Sequence, residues 1–174
     1  MAVDIKQCMP PAGAADARLL ILGSLPGDAS LLARCYYAHP TNQFWRLLGH
    51  AIGDDLAGLD YPARLDRLSA RGIALWDVVA AATRSGSLDG AIRSARANPL
   101  AGYVATHPRL AAIGFNGRTA ATIGRRALGE SGSIALIDLP SSSAALTRLL
   151  DQKMVDWATL GGFADRPISA TVRR

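Results

Sequence analysis

Four short apolar runs, each followed by turn-forming residues, constrain the fold of this chain most strongly. An apolar run of this length is typical of a strand that is buried on both faces of a parallel sheet. Segments with helical spacing separate the runs, and strands that alternate with helices predict an α/β fold with helices on both faces of the sheet. The runs occupy residues 18–25, 73–79, 109–115 and 133–139.

The segments between the runs carry helix signals. Residues 42–52 place apolar side chains at Phe44, Leu47, Leu48 and Ile52, which fall on one face of a helix. Polar or small residues bound the other helical segments, as they commonly do at helix ends. We also predict helices over residues 28–36, 61–70, 87–95, 99–106, 119–128 and 143–160.

The chain length and composition indicate one folded domain. The 174 residues match the roughly 100–200 residues of a typical domain. Apolar residues make up 49% of the chain, enough to bury a core and unlike a disordered chain. We therefore predict a single domain over residues 1–174, with a loose N-terminal arm at 1–17 and a basic C-terminal tail at 162–174.

The charge of the chain is basic, with a formal net charge of +5. Only Lys6 and Lys153 are lysines, and the other basic residues are arginines, which suit bidentate contact with phosphate. The excess is modest, so a solubilising surface is the favoured interpretation on charge alone, and a nucleic-acid partner is the alternative.

Cysteine and histidine usage excludes several classes of site. Two cysteines, Cys8 and Cys35, can form neither a disulfide framework nor a four-cysteine metal site. The three histidines show no close ligand spacing, so we expect no metal and no cofactor. No apolar run reaches the roughly 18 residues of a membrane span, and no secretory signal is evident, which predicts a soluble, cytosolic protein without a membrane partner.

The loop after the first run reads GSLPG. In parallel sheets, ligands bind beyond the carboxyl ends of the strands, so this loop is a candidate site. Its glycines allow a ligand to approach the backbone, and its free N–H groups can bind an anion or an oxygen. An ordinary tight turn between strand and helix is the alternative. The loop comprises Gly23, Ser24, Leu25, Pro26 and Gly27.

The segment YYAHPTNQFW, residues 36–45, concentrates aromatic and polar side chains in a chain that is only 6% aromatic. An aromatic side chain at a strand end can stack on a flat ring. Asn42 can orient a water or hold a carbonyl, and the alternative for this residue is a helix N-cap. For Phe44 and Trp45, burial in the core is the favoured interpretation. For Tyr37 and His39, burial and contact with a ligand are equally supported.

Polar residues also end the other three runs. Asp77 interrupts an apolar run and must either cap a turn or bind N–H groups of a ligand. Asn116 follows the third run and introduces the next turn. The fourth run ends in LPSSS, whose Ser141, Ser142 and Ser143 can cap the last helix or contact a phosphate. The GxSxG pattern of serine hydrolases is missing, and both lysines lie outside these loops.

Taken in order, the strings GSLPG, YYAHPTNQFW, LWDVV, GSLDGAI, IGFNGRTA and LPSSS resemble the uracil-DNA glycosylase superfamily. The similarity covers about residues 20–157 and is strongest to the branch described as hypoxanthine-DNA (deoxyinosine) glycosylases. YYAHPxNxFW following GSxPG is specific, whereas any one string alone is not.

The resemblance implies a three-layer α/β/α sandwich with a short four-stranded parallel sheet. It implies hydrolysis of an N-glycosidic bond that removes a deaminated base, hypoxanthine or uracil, from DNA. Asn42 matches the catalytic Asn of this branch, Tyr37 the aromatic that stacks on the flipped base, and Asp77 a base-reading position. Leu25 and Leu139 stand where other branches carry polar motif residues, and Ala144 replaces the usual Pro of the serine loop.

The resemblance extends to a full set of site residues. The base would be bound by Ser24, Leu25, Tyr37, His39, Phe44, Asp77 and Asn116. DNA would be bound by Gly23, Pro26, Gly27, Ser141, Ser142, Ser143 and Arg148. Leu146 or Arg148 would fill the vacated base stack, although helix packing is the favoured interpretation of Leu146.

A monofunctional enzyme is expected, because no lysine lies in the predicted site. The partner would be DNA that contains deaminated bases, bound by a monomer at the bacterial nucleoid. Three rival functions follow in order: a uracil-specific glycosylase, a catalytically inactive nucleic-acid binder, and a small-molecule hydrolase on a flavodoxin-like sheet.

Overall fold

The four apolar runs form parallel strands in a computed structural model that describes residues 5–166. The strands are β1 (Ile5–Gln7), β2 (Ala12–Gly13), β3 (Leu19–Gly23), β4 (Ile73–Asp77), β5 (Val79–Thr83), β6 (Arg93–Ala97), β7 (Ala112–Asn116) and β8 (Ala135–Leu139). The helices are α1 (Asp28–Ala33), α2 (Phe44–Ile52), α3 (Tyr61–Ala70), α4 (Leu100–Thr106), α5 (Arg118–Leu128) and α6 (Leu150–Trp157). Short 3-10 helices lie at Asp89–Ala91 and Ala158–Gly162.

The central sheet has five strands in the order β2-β4-β3-β7-β8, one more than the four predicted. The four expected strands are parallel, and β2 adds antiparallel to the outer edge of β4. A Cβ at Gly13 would collide with the carbonyl oxygen of Ile73, so glycine permits this close pairing. The segment predicted to be a loose arm thus contributes β1 and β2 within its described residues.

Side chains on β3 alternate between two cores, as the period of a strand requires. Leu19 and Ile21 pack in a core that includes side chains from α2, α3 and α6. Leu20 and Leu22 face the opposite core, which includes side chains from α4 and α5. The predicted three-layer α/β/α sandwich is therefore confirmed.

A second, three-stranded antiparallel sheet, in the order β1-β5-β6, replaces the helix predicted over residues 87–95. That prediction is wrong because the segment is a hairpin connection rather than an amphipathic helix. Gly86 adopts a left-handed φ of 69°, and all five residues of β6 are exposed, leaving no apolar face to bury.

The predicted helix over residues 143–160 is also partly wrong. α6 begins only at Leu150, and residues 143–149 form an irregular loop. Serine hydroxyls compete with helix formation there, because Ser143 N donates to Ser141 Oγ and Ala145 N donates to Ser143 Oγ, both at 3.2 Å. The helices predicted over residues 42–52 and 61–70 are confirmed as α2 and α3.

The predicted basic tail lies mostly outside the described residues, which end at Arg166. Asp165, near that end, is fixed by Arg71, whose Nε donates to the Asp165 carbonyl at 2.6 Å. Within residues 5–166, no helix is long and apolar enough to cross a membrane.

The carboxyl ends of the parallel strands lie side by side. Gly23 at the end of β3 is in register with Asp77 at the end of β4. Asn116 at the end of β7 is in register with Leu139 at the end of β8. Four connecting loops therefore leave the sheet from one edge, where parallel sheets place their ligand sites.

Candidate active site

A cavity of about 480 Å³ opens at this edge of the sheet. Its volume lies within the roughly 300–1,000 Å³ of small-molecule sites. Asp28, Asp77 and Asp89 line it, whereas no lysine or arginine of the described chain does. Its wall is formed by residues 23–30, 36–37, 39, 41–42, 77, 87–89, 116 and 141–146.

The Asp77 carboxyl lies at the end of β4 and is only 3% exposed. Its Oδ2 has no hydrogen-bond partner within residues 5–166. Burial raises the pKa of Asp77 to about 7, Arg84 opposes this rise, and the negative charge of Asp89 adds to it. Near neutral pH this carboxyl is therefore divided between a form that only accepts hydrogen bonds and a form that also donates one.

The Tyr37 ring stacks on Phe44, with ring centroids 3.6 Å apart and an interplanar angle of 7°. Its backbone has a φ of 54°, which is uncommon for a bulky residue and which occurs most often at functional sites. The Tyr37 hydroxyl is buried without a hydrogen-bond partner in the described chain, although Asn116 lies near enough to oppose the rise in its pKa. Burial, and then Asp77, raise that pKa, so the hydroxyl stays protonated and can donate.

Gly23 makes the juxtaposition of these two side chains possible. A Cβ at this position would lie 2.6 Å from Asp77 Oδ1 and 3.0 Å from Tyr37 Oη. Four buried side-chain atoms within residues 5–166 lack a partner, and two of them, Asp77 Oδ2 and Tyr37 Oη, belong to residues that line the cavity next to this glycine. Buried polar atoms are normally paired, so this pair points to a polar ligand.

Asn42 lines the cavity at the start of α2. Its Oδ1 accepts from Phe44 N at 3.0 Å, and its backbone N–H donates to the His39 carbonyl at 2.9 Å. The Thr41 N–H donates to Nδ1 of His39 at 3.3 Å. The N-cap of α2 is Gln43, so the predicted N-cap role of Asn42 is wrong; the Asn42 side chain instead accepts from the N–H of the first helical residue, and Asn42 lines the cavity.

Asn116 and Ser142 lock the serine loop onto the end of β7. Asn116 Nδ2 donates to Ser142 Oγ, and Ser142 N donates to Asn116 Oδ1, both at 2.8 Å. Ser142 is only 1% exposed, and its carbonyl accepts from Gln43 N at 2.9 Å. Both side chains are thus occupied with each other.

Lys153 connects the start of α2 to the serine loop. The side chain is fully buried, and its Nζ donates to Gln43 Oε1 at 2.9 Å and to the Ser143 carbonyl at 3.1 Å. Burial, together with Arg148, lowers the pKa of Lys153. Lys153 does not line the cavity, yet it fixes the distance between the Asn42 segment and the serine loop.

The loop between β5 and β6 completes the wall, and sequence reasoning missed it. Ser24 Oγ donates to Asp89 Oδ1 at 2.5 Å, and Asp28 N donates to Ser87 Oγ at 3.0 Å. Leu88 also lines the cavity and is 65% exposed. The turn pairs Ser-Gly and Asp-Gly in this segment were the signal that favoured a loop over the predicted helix.

All but two of the predicted site residues line the cavity. Phe44 is completely buried beneath Tyr37, and Arg148 instead pairs with Asp156 at 2.6 Å. The residues that line the cavity are Gly23, Ser24, Leu25, Pro26, Gly27, Tyr37, His39, Asn42, Asp77, Asn116, Ser141, Ser142 and Ser143.

The two leucines at the unusual motif positions differ in their surroundings. Leu25 lines the cavity, whereas Leu139 is a core residue that contacts Gly114. Leu146 lies at the cavity wall, 39% exposed, in the irregular loop rather than in a helix. Among residues 5–166, no group of three His, Cys, Asp or Glu side chains is arranged to hold a metal ion.

Comparison with known proteins gives one consistent result. The profile of the Uracil DNA glycosylase superfamily matches residues 10–159. A protein of Methanosarcina barkeri named hypoxanthine DNA glycosylase is 40% identical over 155 residues, covering 88% of this chain and 96% of the relative. A protein of the same name from Methanosarcina acetivorans is 39% identical, with the same coverage of both chains.

A solved structure shares the fold. The solution NMR structure of a candidate uracil DNA glycosylase from Methanosarcina acetivorans superposes with a TM-score of 0.79 at 38% identity. The superposition covers 91% of this chain and 97% of that chain.

The raised pKa of Asp77 predicts a pH-dependent stability difference that Asp77→Asn removes. A carboxyl with a pKa of 3.8 when unfolded and about 7 when folded binds its proton more tightly in the folded state, so its contribution to stability falls as the pH rises through this range. We therefore expect the free energy of unfolding of Asp77→Asn, relative to that of the original protein, to rise by roughly 2–3 kcal/mol between about pH 5 and about pH 8. Urea unfolding at both pH values measures this gain.

Asp66→Asn is the matched control, because Asp66 is exposed on α3. Its stability should follow that of the original protein at both pH values. Parallel pH profiles for the original protein and Asp77→Asn would contradict the assigned ionisation.

Proposed function

From the membership of this chain in the uracil DNA glycosylase superfamily, we propose that it is a monofunctional glycosylase that hydrolyses the N-glycosidic bond of a deaminated base in DNA. The single observation that carries this proposal is the pair of unpartnered polar atoms, Asp77 Oδ2 and Tyr37 Oη, beside an aromatic ring in the cavity. A flat heterocycle with adjacent N–H and C=O groups satisfies both atoms. The names of the relatives support hypoxanthine as the preferred base, and uracil presents the same pair of groups.

The base is recognised by stacking and by its polar edge. Phe44 covers one face of the Tyr37 ring, and the flipped base stacks against the part of that ring that lines the cavity. The Tyr37 hydroxyl donates to a base carbonyl, and the Asp77 carboxylate accepts from the ring N–H. In its protonated form, Asp77 instead donates to the base and stabilises the negative charge of the leaving group.

A base within a duplex cannot reach the cavity, so the protein must bind the DNA backbone while the base rotates out of the helix. Backbone N–H groups of the loop at 23–27 bind the phosphates beside the lesion, together with the hydroxyls of Ser141 and Ser143, which accept backbone hydrogen bonds and can still donate. Leu146, exposed at the cavity wall, enters the stack that the base has left. Arg148 contributes positive charge near the same loop once its pairing with Asp156 is exchanged for a phosphate.

Asn42 orients the attacking water. Breakage of the C1′–N bond places positive charge on the sugar, and a water held against C1′ captures it. Asn42 Oδ1 has a second lone pair for this water, while its hydrogen bond to Phe44 N fixes the side-chain direction. His39 lies beside it at the cavity wall.

The absence of an amine at the cavity wall supports a monofunctional reaction. No lysine of the described chain lines the cavity, and the Lys153 ammonium is engaged by Gln43 and Ser143. Without an amine nucleophile no Schiff base forms with the sugar, so the product is an intact abasic strand.

A catalytically inactive nucleic-acid-binding relative is the second candidate. Leu25 and Leu139 favour it, because an apolar side chain stands at each position where a polar motif residue was expected. Such a protein would still bind DNA through phosphate contacts, so its affinity for DNA would fall steeply with salt concentration. It would release no base.

A base-release assay tests the proposed function. Labelled oligonucleotides with hypoxanthine, uracil or xanthine, single-stranded and paired, are incubated with the protein and then treated with alkali. We expect strand cleavage only after alkali, with hypoxanthine or uracil as the best substrate. DNA binding without release of any base would support the inactive binder, and cleavage without alkali would overturn the monofunctional assignment.

Substitution of Asn42 separates a catalytic role from its hydrogen bond to the start of α2. Asn42→Ser retains a side-chain oxygen that can accept from Phe44 N but cannot reach as far into the cavity. We expect both Asn42→Ser and Asn42→Ala to lose at least about 10²-fold in the single-turnover rate of base release, as removal of a group that positions a reactant does. Only Asn42→Ala should also lose stability, by roughly 1 kcal/mol.

The measurements are quench-flow base release and urea unfolding, with DNA affinity recorded for each variant. Near-full activity of Asn42→Ser would show that this residue serves only to hold the start of α2. Equal affinity of both variants for lesion DNA excludes a binding defect as the cause of a lost rate.

Asp77→Asn is expected to change the base preference. An amide always donates and accepts, whereas the Asp77 carboxyl exchanges these roles with pH. The relative release rates of hypoxanthine, uracil and xanthine should therefore shift and lose their dependence on pH near 7. An unchanged ratio of the three rates, at about pH 6 and about pH 8, would make Asp77 a structural residue.

A further inference from the structure

The motif GSLDGAI, singled out in the sequence, has so far no chemical role. Its Asp89 lines the cavity, and Ser24 Oγ donates to its Oδ1 at 2.5 Å. The charge of Asp89 contributes to the raised pKa values of both Asp77 and Tyr37, so it lies within electrostatic reach of the base-binding pair. The Asp89 carboxylate therefore lines the same cavity as the two residues that carry the unpartnered atoms.

The loop that carries Asp89 is firmly attached to the GSLPG loop. Arg84 is buried, and its guanidinium donates to the Leu25 carbonyl at 3.0 Å and also to the Pro26 carbonyl. Lys6 donates to the Gly86 carbonyl at 2.7 Å. These contacts fix the start of the loop, and the hydrogen bond from Ser24 fixes Asp89 itself, as preorganised catalytic groups require.

The proposed reaction still needs a proton acceptor. The Asn42 amide can position a water, but an amide barely accepts a proton. We propose that Asp89 is the carboxylate that takes the proton from this water and stabilises the positive charge on the sugar. This inference rests on the proposed function and names a further catalytic residue of the same site.

The step balances with water as the only co-reactant. The water oxygen forms a bond to C1′ as the C1′–N bond breaks, and the electron pair of the broken bond leaves with the base. One water proton passes to the Asp89 carboxylate, and the departing base takes up a proton from the Asp77 carboxyl or from solvent. The products are the free base and a sugar hydroxyl at C1′.

Neither of the other two cavity carboxyls fits this role as well. Asp77 is only 3% exposed and ends β4, and the proposed function already assigns it to the edge of the base. Asp28 is paired with Lys6, so its charge is already compensated. Asp89 is half-buried, and Ser24 fixes one of its oxygens.

The experiment compares Asp89→Asn with the original protein in single-turnover release of hypoxanthine and uracil. An asparagine oxygen can still accept from Ser24 Oγ, so the loop contact is kept while the proton acceptor is removed. We expect the rate to fall at least about 10²-fold, the usual contribution of a general base. Affinity for a cleavage-resistant 2′-fluorinated lesion nucleotide in DNA should stay within about threefold, since the base contacts are intact.

Chemical rescue distinguishes a catalytic role from a structural one, because an added carboxylate can replace a proton acceptor but not a structural contact. In Asp89→Ala, formate can occupy the volume of the missing carboxylate and accept the proton. We expect formate to restore part of the lost rate in Asp89→Ala and to leave the original protein unchanged. Asp66→Asn, an exposed change of the same charge on α3, controls for the effect of net charge on DNA binding.

The outcomes separate this inference from the proposed function. A rate for Asp89→Asn within about threefold of the original protein, or a slow Asp89→Ala that formate does not restore, overturns the role of Asp89 while base release by the original protein stands. If the original protein itself releases no base from any lesion, the proposed function fails, and this inference fails with it.

Discussion

The site depends on the lack of a side chain at Gly23. In the register of β3 and β4, this glycine stands directly beside Asp77. A Cβ there would come within 2.6 Å of the carboxyl and 3.0 Å of the Tyr37 hydroxyl. Any other residue at this position would push the two groups apart and remove the arrangement that a base edge can satisfy. The strained backbone of Tyr37 and the stacking of its ring on Phe44 serve the same juxtaposition.

The buried cations Arg84 and Lys153 hold the loops around the cavity and do not line it. Arg84 donates to carbonyls of the GSLPG loop, and Lys153 donates to Gln43 and to the carbonyl of Ser143. A buried charge is tolerated only where its hydrogen bonds are satisfied, and backbone carbonyls provide that satisfaction here. Positive charge thus fixes the wall of the cavity, while the carboxyl groups remain at its surface.

The strands could be predicted because each is a continuous apolar run, and the strong periodicity of residues 42–52 predicted α2. The errors lie where local pattern is weak. Residues 87–95 and 143–149 contain glycine, serine and short apolar stretches, and tertiary contacts decide their conformation. β2 has only two residues, and its pairing depends on the room that Gly13 leaves beside Ile73.

The same distinction applies to the site. Asn42 and Tyr37 could be recognised because they lie in one contiguous string, YYAHPTNQFW. The position of Asp89 at the cavity could not be predicted, because it depends on a hydrogen bond from Ser24, 65 positions away in the chain. The cavity wall carries three aspartates and no cation of the described chain, which opposes an anionic ligand inside it and favours positive charge on a reacting sugar. Under the proposed function, phosphates therefore bind outside the cavity, at its rim, while the neutral base enters.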